Sequence, residues 1–375
     1  MQINKQLFGS TIGIIGGGQL GRMMTTAAKH MGYRVVVLDP TPDCPTAQVA
    51  DRQIVAAYDD LTAIQQLAEA SDVVTYEFEN VDLEAAEILE KAGLLPQGAQ
   101  SLRITQDREL EKQAMVDSLQ PVADYSIVRT KQELTASVQR LEYPVVAKTC
   151  RGGYDGKGQV KLTSDADLVS VEEMLEQTGR LIIEQWVPFD QEISIVFTRS
   201  ATGEITYFPV AENIHRDHIL HATIVPARVS EEITEKAHQA AKAIAETIGV
   251  VGTFAIEMFV CVSDILINEL APRPHNSGHY TIEACNVSQF EQHIRAICGL
   301  PLIPIHAHQA AVMVNLLGKD IEPFFDQLED NPDAHIHMYG KEDAKALRKM
   351  GHVTFIGENV SSLYQQLLDK KIIEN

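Results

Sequence analysis

The sequence predicts a multidomain α/β protein that is α+β overall. Residues 11–39 alternate strand, glycine-rich turn, helix and strand, and this βα pattern continues to residue 93. Two later apolar runs, 253–262 and 265–270, flank a short polar turn and predict an antiparallel hairpin. A chain of 375 residues, 45% of them hydrophobic, is long and apolar enough for two or three packed domains.

The N-terminal glycine turn matches a phosphate-binding pattern. Gly16, Gly18 and Gly21 follow the first predicted strand with the spacing G-x-G-x-x-G, and Asp39 ends the second strand. Taken alone, this pattern favours an NAD-dependent oxidoreductase. The turn could instead place backbone N–H groups against part of another ligand, or join strand and helix without a ligand. These three interpretations stay open at this point.

Two acidic residues end the next predicted strand, which spans residues 72–78. Glu77 and Glu79 lie at its carboxyl end, the edge where ligands of open α/β sheets bind. Glu77 is therefore a candidate for hydrogen bonding substrate hydroxyls. A solvated loop carboxylate is the alternative.

A strand that ends in a lysine leads into a glycine-rich loop. Residues 143–148 read YPVVAK, and residues 151–159 read RGGYDGKGQ before a second strand at 160–162. The four glycines expose backbone N–H donors, so we expect the loop to fold over phosphates with Lys148 beside it. The loop is not a Walker A motif, because no G-x-x-x-x-G-K-[ST] precedes a helix. A flexible hairpin tip is the alternative.

The predicted hairpin at 253–270 sets two glutamates face to face. With a loop at 262–264, Glu257 falls opposite Glu269, and facing side chains of an antiparallel pair lie close enough for like charges to be destabilising. Such a pair calls for a cation, and oxygen ligands suit Mg²⁺ that bridges phosphate groups. A solvated edge hairpin is the alternative, and a slip of one residue would set Glu257 opposite Asn268.

The acidic composition limits the possible partners. A formal net charge of -21 argues against nucleic acid as a general partner and requires a local basic cluster for any anionic substrate. The segment 339–352 supplies one, with Lys341, Lys345, Arg348, Lys349 and His352. A solvated helix is the alternative for this segment.

Other sequence features indicate a cytoplasmic protein without a membrane partner. No signal-peptide pattern stands at the N-terminus, and no apolar run reaches the length of a membrane span. The five cysteines have no metal-binding spacing, and their odd number disfavours a disulfide framework.

Four motifs in order carry a resemblance to a known family. GGGQLGRM, TYEFENV, GGYDGKGQ and NELAPRPHNSGH resemble the ATP-grasp superfamily and, within it, the 5-(carboxyamino)imidazole ribonucleotide synthase family. The resemblance covers nearly the whole chain. It implies an ATP-grasp fold with a Rossmann-like pre-ATP-grasp domain at 1–103, an ATP-grasp domain at 104–300 and a small β-rich domain at 301–375. A lid subdomain is expected at about 120–190.

The resemblance also implies a reaction and its partners. ATP, bicarbonate and 5-aminoimidazole ribonucleotide would give 5-(carboxyamino)imidazole ribonucleotide, ADP and phosphate through carboxyphosphate, in de novo purine biosynthesis. ATP and Mg²⁺ are the expected cofactors, and a second copy of the chain is the expected partner in a homodimer. Phosphoryl transfer needs mainly positioning and charge stabilisation, which suits lysines, Mg²⁺ and backbone donors.

The same resemblance assigns candidate site residues. Those that resemble the ATP site are Arg108, Lys148, Gly153, Tyr154, Asp155, Gly156, Lys157, Gly158, Gln159, Glu184, Gln185, Trp186, Val187, Glu192, His215, Asn268 and Glu269. Those that resemble the Mg²⁺ ligands are Glu257 and Glu269. Those that resemble the catalytic bicarbonate and ribonucleotide site are Tyr154, Asp155, Arg273, His275, Lys341 and Arg348. Asp155 could orient the substrate amine or take its proton.

Three rival functions remain from the sequence. Another ATP-grasp ligase, such as a formate-dependent glycinamide ribonucleotide transformylase or a biotin carboxylase, would share the ATP machinery. An NAD oxidoreductase would use the glycine turn. A non-catalytic nucleotide-binding module would leave the paired carboxylates without a task.

Overall fold

The computed structural model describes residues 5–153 and 158–373. Its strands form three sheets, and the functional cavity lies where the three meet. Within the described residues, no helix is both long and apolar enough to cross a membrane.

The first sheet is parallel and lies near the N-terminus. Its order is β3-β2-β1-β4, with β1 Thr11–Ile15, β2 Arg34–Leu38, β3 Arg52–Ile54 and β4 Val73–Tyr76. Its strands are apolar runs because helices cover both faces of the sheet. These helices include α1 Gln19–His30, α2 Leu61–Ala70, α3 Leu83–Lys91 and α4 Gln100–Thr105.

The second sheet, here called the lid sheet, is antiparallel and lies within the range 120–190 in which a lid subdomain was expected. Its order is β5-β8-β6-β7, with β5 Tyr125–Val128, β6 Val145–Thr149, β7 Gln159–Leu162 and β8 Leu181–Gln185. The helices of this region are α5 Arg108–Asp117, α6 Lys131–Leu141 and α7 Leu168–Thr178. Helices α6 and α7 pack on the sheet through a buried apolar cluster that includes Leu134, Val171 and Ile183.

The third sheet has nine strands and continues into the C-terminal region. Its order is β14-β13-β9-β11-β12-β15-β17-β16, and β10 pairs with β9. The strands are β9 Gln191–Arg199, β10 Ile205–Tyr207, β11 Ala211–Arg216, β12 Ile219–Val225, β13 Gly252–Cys261, β14 Asp264–Ala271, β15 Ala310–Leu317, β16 His335–Met338 and β17 Lys349–Gly357. The helices are α8 Glu231–Ile248, α9 Thr281–Ala284, α10 Gln289–Ile297, α11 Ile321–Asp326 and α12 Val360–Asp369.

Helix α8 supports the predicted hairpin from behind. The side chain of Ser230 caps its N-terminus, and Gly249 ends it with φ +71°. Its apolar stripe packs against β13 and β14 in the largest buried cluster of the third sheet. The stripe runs through Ile233, Ala237, Ala240, Ile244 and Ile248, as its 3.6-residue period predicts.

Two segments differ from the helices that the sequence predicts. The charged pattern of residues 101–119, with Arg108 and Lys112 four residues apart, predicts one helix with a mostly solvated face. The structure has two helices there, because the side chain of Asp107 accepts a hydrogen bond from Glu109 N and starts α5 anew. The basic segment 340–348, all of it described, contains no helix and leads into β17.

Candidate active site

A cavity of about 970 Å³ opens between the three sheets. Most of the residues that the sequence singled out line it together, although they are spread over the chain between positions 108 and 275. They are Arg108, Lys148, Gly153, Gln159, Glu184, Gln185, Trp186, Val187, Glu192, His215, Glu257, Asn268, Glu269, Arg273 and His275.

The hairpin of β13 and β14 brings Glu257 directly opposite Glu269. The turn is one residue tighter than predicted, because Cys261 pairs with Asp264 and Val262 adopts φ +59°. A β-bulge at Asn268 compensates for the shorter turn and restores the predicted pairing of the two glutamates. The predicted loop at 262–264 was therefore wrong, whereas the facing carboxylates were right.

The paired carboxylates have an unusual electrostatic setting. Burial raises the pKa of Glu257 to about 7, and the charge of Glu269 adds to this rise while His215 opposes it. The Nε2 atom of His275 lies 3.3 Å from a carboxylate oxygen of Glu257, and Nη1 of Arg108 lies 3.8 Å from Glu269. A divalent cation between the carboxylates would remove their mutual repulsion.

The donor set fits magnesium better than a transition metal. Within the described residues, no group of three or more His, Cys, Asp or Glu side chains could enclose a metal ion. Glu257, Glu269 and the Asn268 amide offer oxygen ligands only, and all three line the cavity. Mg²⁺ commonly takes one or two carboxylates and completes its shell with water and substrate phosphates.

A second charged cluster lies beneath the lid sheet. Lys148 Nζ is 2.5 Å and Lys112 Nζ is 3.1 Å from the two carboxylate oxygens of Glu184. Burial acts to raise the pKa of Glu184, but the two lysines lower it to about 2. The sequence placed Lys112 on a solvated face. That was wrong, because its side chain is only 3% exposed and faces this carboxylate.

Apolar side chains form the wall next to this cluster. Phe189 and Phe259 stack with ring centroids 4.6 Å apart. The Nζ atom of Lys161 lies over Trp186, 3.6 Å from the centroid of the Trp186 ring. The other apolar lining residues are Ala123, Val146, Val187, Leu220 and Ile267. This wall can accommodate a flat aromatic ring beside the strand that ends at Gln185.

Arginine, histidine and asparagine occupy the part of the cavity that faces the first sheet. Arg273 Nε donates to Glu79 at 2.7 Å, and this half-buried ion pair holds Arg273 in place. Asn276 lines the cavity, and neither polar atom of its amide has a hydrogen-bond partner among the described residues. No sequence pattern gave Asn276 a role of its own, although it follows His275 directly.

Comparisons with known proteins agree along the whole chain. Residues 9–106 match the ribonucleotide synthetase preATP-grasp domain, residues 113–290 the ATP-grasp domain and residues 311–366 the phosphoribosylaminoimidazole carboxylase C-terminal domain. N5-carboxyaminoimidazole ribonucleotide synthase of Bacillus subtilis is 49% identical over 371 residues, which cover 98% of this chain and 97% of the relative. The chain belongs to the N5-carboxyaminoimidazole ribonucleotide synthase family.

Solved structures of this family have the same fold. N5-carboxyaminoimidazole synthetase from Staphylococcus aureus complexed with ADP has a TM-score of 0.94 at 42% identity, covering 98% of both chains. The Aspergillus clavatus enzyme in complex with ADP and 5-aminoimidazole ribonucleotide has a TM-score of 0.89 at 31% identity, covering 96% of this chain and 97% of that one. The predicted ATP-grasp fold, with its preATP-grasp and C-terminal parts, is confirmed.

In this family member the glycine turn does not have the geometry of a dinucleotide site. The carboxylate of Glu77 accepts hydrogen bonds from Gly18 N and Gly21 N at the start of α1, where a pyrophosphate would bind. Asp39 accepts from Gly17 N at 2.7 Å and from the Tyr58 hydroxyl at 2.6 Å. The side chains therefore occupy the donors that an NAD oxidoreductase would use.

The C-terminal basic cluster divides in the structure. Lys349 lines the cavity, whereas Arg348 is exposed and donates to the Asp343 carbonyl at 3.1 Å. Lys341 Nζ donates to the Lys349 carbonyl at 2.7 Å. Neither Lys341 nor Arg348 is among the described residues that line the cavity. His352 is buried within β17.

The glycine loop is described only in part. Gly153 and Gln159 line the cavity, and Gly158 bonds through its carbonyl to Thr149 N at 2.8 Å. Four predicted loop residues, Tyr154, Asp155, Gly156 and Lys157, lie outside the described residues.

Proposed function

We propose that this protein carboxylates 5-aminoimidazole ribonucleotide with bicarbonate and ATP, giving N5-carboxyaminoimidazole ribonucleotide, ADP and phosphate. The observation that carries the proposal is the arrangement of three different regions around one cavity. An apolar wall with Lys148, the facing carboxylates, and a group of Arg273, His275, Asn276 and Lys349 all line it. Family membership supports the reaction, and we assign its steps to these three regions.

The first region is suited to ATP. The aromatic wall takes the base, and the backbone of residues 184–187 offers an edge for hydrogen bonds to it. Glu192 and His215, whose side chains are 3.0 Å apart, lie where they can contact the ribose. Lys148 and Arg108 bring positive charge to the phosphates, because both line the cavity between the wall and the hairpin.

The second region is suited to the phosphoryl transfer. We assign Glu257 and Glu269 as the Mg²⁺ ligands, with Asn268 beside them. The bound ion would neutralise charge that develops on the β- and γ-phosphates. A bicarbonate oxygen attacks the γ-phosphorus of ATP. The bond between the γ-phosphorus and the β,γ-bridging oxygen breaks, and ADP leaves with the electron pair of that bond.

The third region is suited to the carboxyl transfer. The amine nitrogen of the ribonucleotide forms a bond to the carboxyl carbon of carboxyphosphate, and phosphate leaves with the electrons of the broken C–O bond. The proton that the amine loses in this step passes to the leaving phosphate, which departs as hydrogen phosphate. Arg273 and His275 present N–H donors on this side of the cavity and would hold the anionic oxygens while the bond forms.

The ribonucleotide phosphate is assigned to the basic cluster. Lys349 supplies a charge at the cavity wall. Lys341 and Arg348, which the sequence favoured for this phosphate, belong to the same cluster, and Lys341 Nζ lies 2.7 Å from the Lys349 carbonyl.

The homodimer and the cytoplasmic location expected from the resemblance also remain proposals. Sedimentation of the purified protein as a monomer at assay concentrations would contradict the homodimer.

A substrate-omission assay tests the reaction. ADP release is measured with all substrates, and again with the ribonucleotide or bicarbonate omitted, while ¹³C-bicarbonate reports carboxylation of the amine. We expect full turnover and label transfer only in the complete mixture. ADP release that depends on formate or on glycinamide ribonucleotide instead would assign the protein to another ATP-grasp ligase.

A further inference from the structure

A chain of buried polar side chains runs through the third sheet to His275. Its members come from three adjacent strands and from the turn after β14, and each is at most 5% exposed. The chain consists of Thr223 on β12, Asn213 on β11, Ser194 on β9 and Ser277 in the turn. The mechanism above uses none of these four residues.

The hydrogen bonds of this chain all point in one direction. The Thr223 hydroxyl donates to Asn213 Oδ1 at 3.1 Å, and Asn213 Nδ2 donates to Ser194 Oγ at 2.9 Å. The Ser194 hydroxyl then donates to Ser277 Oγ at 2.7 Å. Because Ser277 Oγ accepts this hydrogen bond from Ser194, its own proton is free to point to His275 Nδ1, which is 2.9 Å away.

A backbone amide indicates the same direction, at a longer distance from Nδ1 than the Ser277 hydroxyl. Ser277 N lies 3.3 Å from His275 Nδ1 and donates to it. A backbone N–H can only donate, so Nδ1 must act as an acceptor. A neutral imidazole that accepts at one nitrogen carries its proton on the other. The reverse arrangement, with a proton on Nδ1, would set two donors against each other.

The other ring nitrogen faces the reacting centre. His275 Nε2 lies 3.3 Å from Glu257, an acceptor, and the residue lines the cavity. We propose that Ser277, Ser194 and Asn213 are positioning residues that hold His275 as its Nε2–H tautomer. His275 then donates a hydrogen bond from Nε2 to an anionic oxygen in the cavity, and its Nε2 has no lone pair with which to take the amine proton.

The tautomer can be observed without turnover. Two-bond ¹H–¹⁵N spectra of the ligand-free protein with ¹⁵N-labelled histidine distinguish a protonated ring nitrogen from an unprotonated one. The His275 signals are identified by their loss in His275→Gln. We expect an unprotonated Nδ1 and a protonated Nε2. A proton on Nδ1 in the wild-type protein would overturn the proposal.

Two variants test the chain itself. Ser277→Ala removes the hydroxyl that donates to Nδ1. Asn213→Asp is nearly isosteric, but a carboxylate only accepts, so the Ser194 hydroxyl turns towards it and the chain reverses. In both, we expect the second tautomer to appear and kcat to fall by about tenfold or more, as for other partners that orient a functional histidine. The KM for ATP should change less than about twofold.

Thr198→Val is the matched control. Thr198 is equally buried on the same strand as Ser194, but its hydroxyl pairs with Thr253 at 2.8 Å. This variant should leave the tautomer and kcat near wild type. If Ser277→Ala reduced kcat no more than Thr198→Val does, the chain would be structural only and the proposal would fail.

The kinetic part rests on the proposed function, whereas the spectrum does not. A wild-type protein without carboxylation activity would contradict the proposed function, and the spectrum would still decide the tautomer. If Asn213→Asp does not fold, Ser277→Ala and the wild-type spectrum still decide the proposal.

Discussion

Glu269 combines high exposure to the cavity with a like-charged neighbour. It faces Glu257 across the hairpin, and Arg108 is the nearest cation among the described residues, at 3.8 Å. In the protein without bound ligand, this arrangement contributes little to stability, because two facing carboxylates repel each other. The pair is therefore best explained by the cation and phosphates that it would bind.

Glu269→Gln tests that explanation. We expect kcat to fall by at least about a hundredfold, because a charged ligand of the phosphate-bridging ion is lost. The melting temperature of the ligand-free protein should stay the same or rise slightly. Glu232→Gln, on the exposed face of α8, is the control and should leave both quantities unchanged. Turnover near wild type in Glu269→Gln would refute the metal assignment.

The sequence did not predict the buried environment of Lys112. An i, i+4 pair of Arg108 and Lys112 on a charged helix normally indicates a solvated face. The partner that buries Lys112, Glu184, is on β8 and is distant in the sequence. Local patterns cannot reveal such a contact, because it depends on how the lid sheet packs on α5.

Lys112→Met should reduce stability and weaken ATP binding together. Loss of one hydrogen-bonded cation from a buried carboxylate should lower the free energy of unfolding by about 2–3 kcal/mol. Urea unfolding and the KM for ATP measure the two effects. Lys131→Met is the matched control, because Lys131 also contacts two carboxylates but is 52% exposed. Similar losses in both variants would mean that burial does not determine the effect.

At the scale of elements, the hairpin was the best predicted feature and also the most instructive error. Two apolar runs on either side of a short polar turn correctly predicted two antiparallel strands around residue 263. The turn type and the bulge at Asn268 were not predictable, because both depend on the backbone conformation of Val262 and on the neighbouring helix α5. The turn is one residue shorter than predicted and the bulge adds one residue to β14, so the predicted pairing of Glu257 with Glu269 is still correct.

Helix α5 anchors the outer edge of this hairpin. The Glu111 carboxylate accepts from Leu270 N at 2.7 Å, one residue beyond Glu269. Burial raises the pKa of Glu111 to about 8 from its ordinary value of 4.5, and the charge of Glu269 adds to the rise. The folded protein thus holds a proton that the unfolded chain releases between these pH values.

This retained proton makes stability depend on pH. Because the folded state keeps the Glu111 carboxyl protonated, the contribution of this group to the free energy of unfolding is fully present below about pH 4.5. It is lost as pH rises towards about 8. The ligand-free protein should lose on the order of 1–2 kcal/mol between about pH 5.5 and pH 7.5. Glu111→Gln should make this slope shallower in urea unfolding, and the remaining slope should come partly from Glu257.

Glu109→Gln is the control on the same helix. Burial acts to raise the pKa of Glu109, but Arg129 and Arg180 lower it, so its contribution is complete above pH 4.5 and is lost only in acid. This variant should be less stable than wild type, with an unchanged slope between about pH 5.5 and pH 7.5. An unchanged slope in Glu111→Gln would contradict the proton assigned to Glu111.

At the scale of the whole molecule, the three sheets determine which residues meet. The motif order allowed the ATP-grasp fold and most cavity residues to be predicted, because each motif carries its own local signal. The proposed boundary at 300/301 falls between α10 and β15, yet β15 pairs with β12 and continues the central sheet. That continuity depends on pairing between distant segments, which no local pattern records.

The basic cluster is where the whole-molecule view changes the expectation most. The sequence favoured Arg348 and Lys341 for the ribonucleotide phosphate, whereas Lys349 is the member that lines the cavity. Burial has the largest effect on the pKa values of Glu257 and His275, and the charge of Lys349 lowers both. Its charge therefore acts directly on the reacting centre of a molecule with a net charge of -21.

Lys349→Met should raise the KM for 5-aminoimidazole ribonucleotide at least about tenfold, which corresponds to about 1.4 kcal/mol. The KM for ATP should change less, since the ATP phosphates are assigned to Lys148 and Arg108 rather than to Lys349. Initial rates against each substrate in turn measure both constants. Lys345→Met, exposed in the same segment, is the control. Arg348→Ala decides between the two assignments. If it raised the KM for 5-aminoimidazole ribonucleotide tenfold while Lys349→Met left this KM unchanged, Arg348 and not Lys349 would bind the ribonucleotide phosphate.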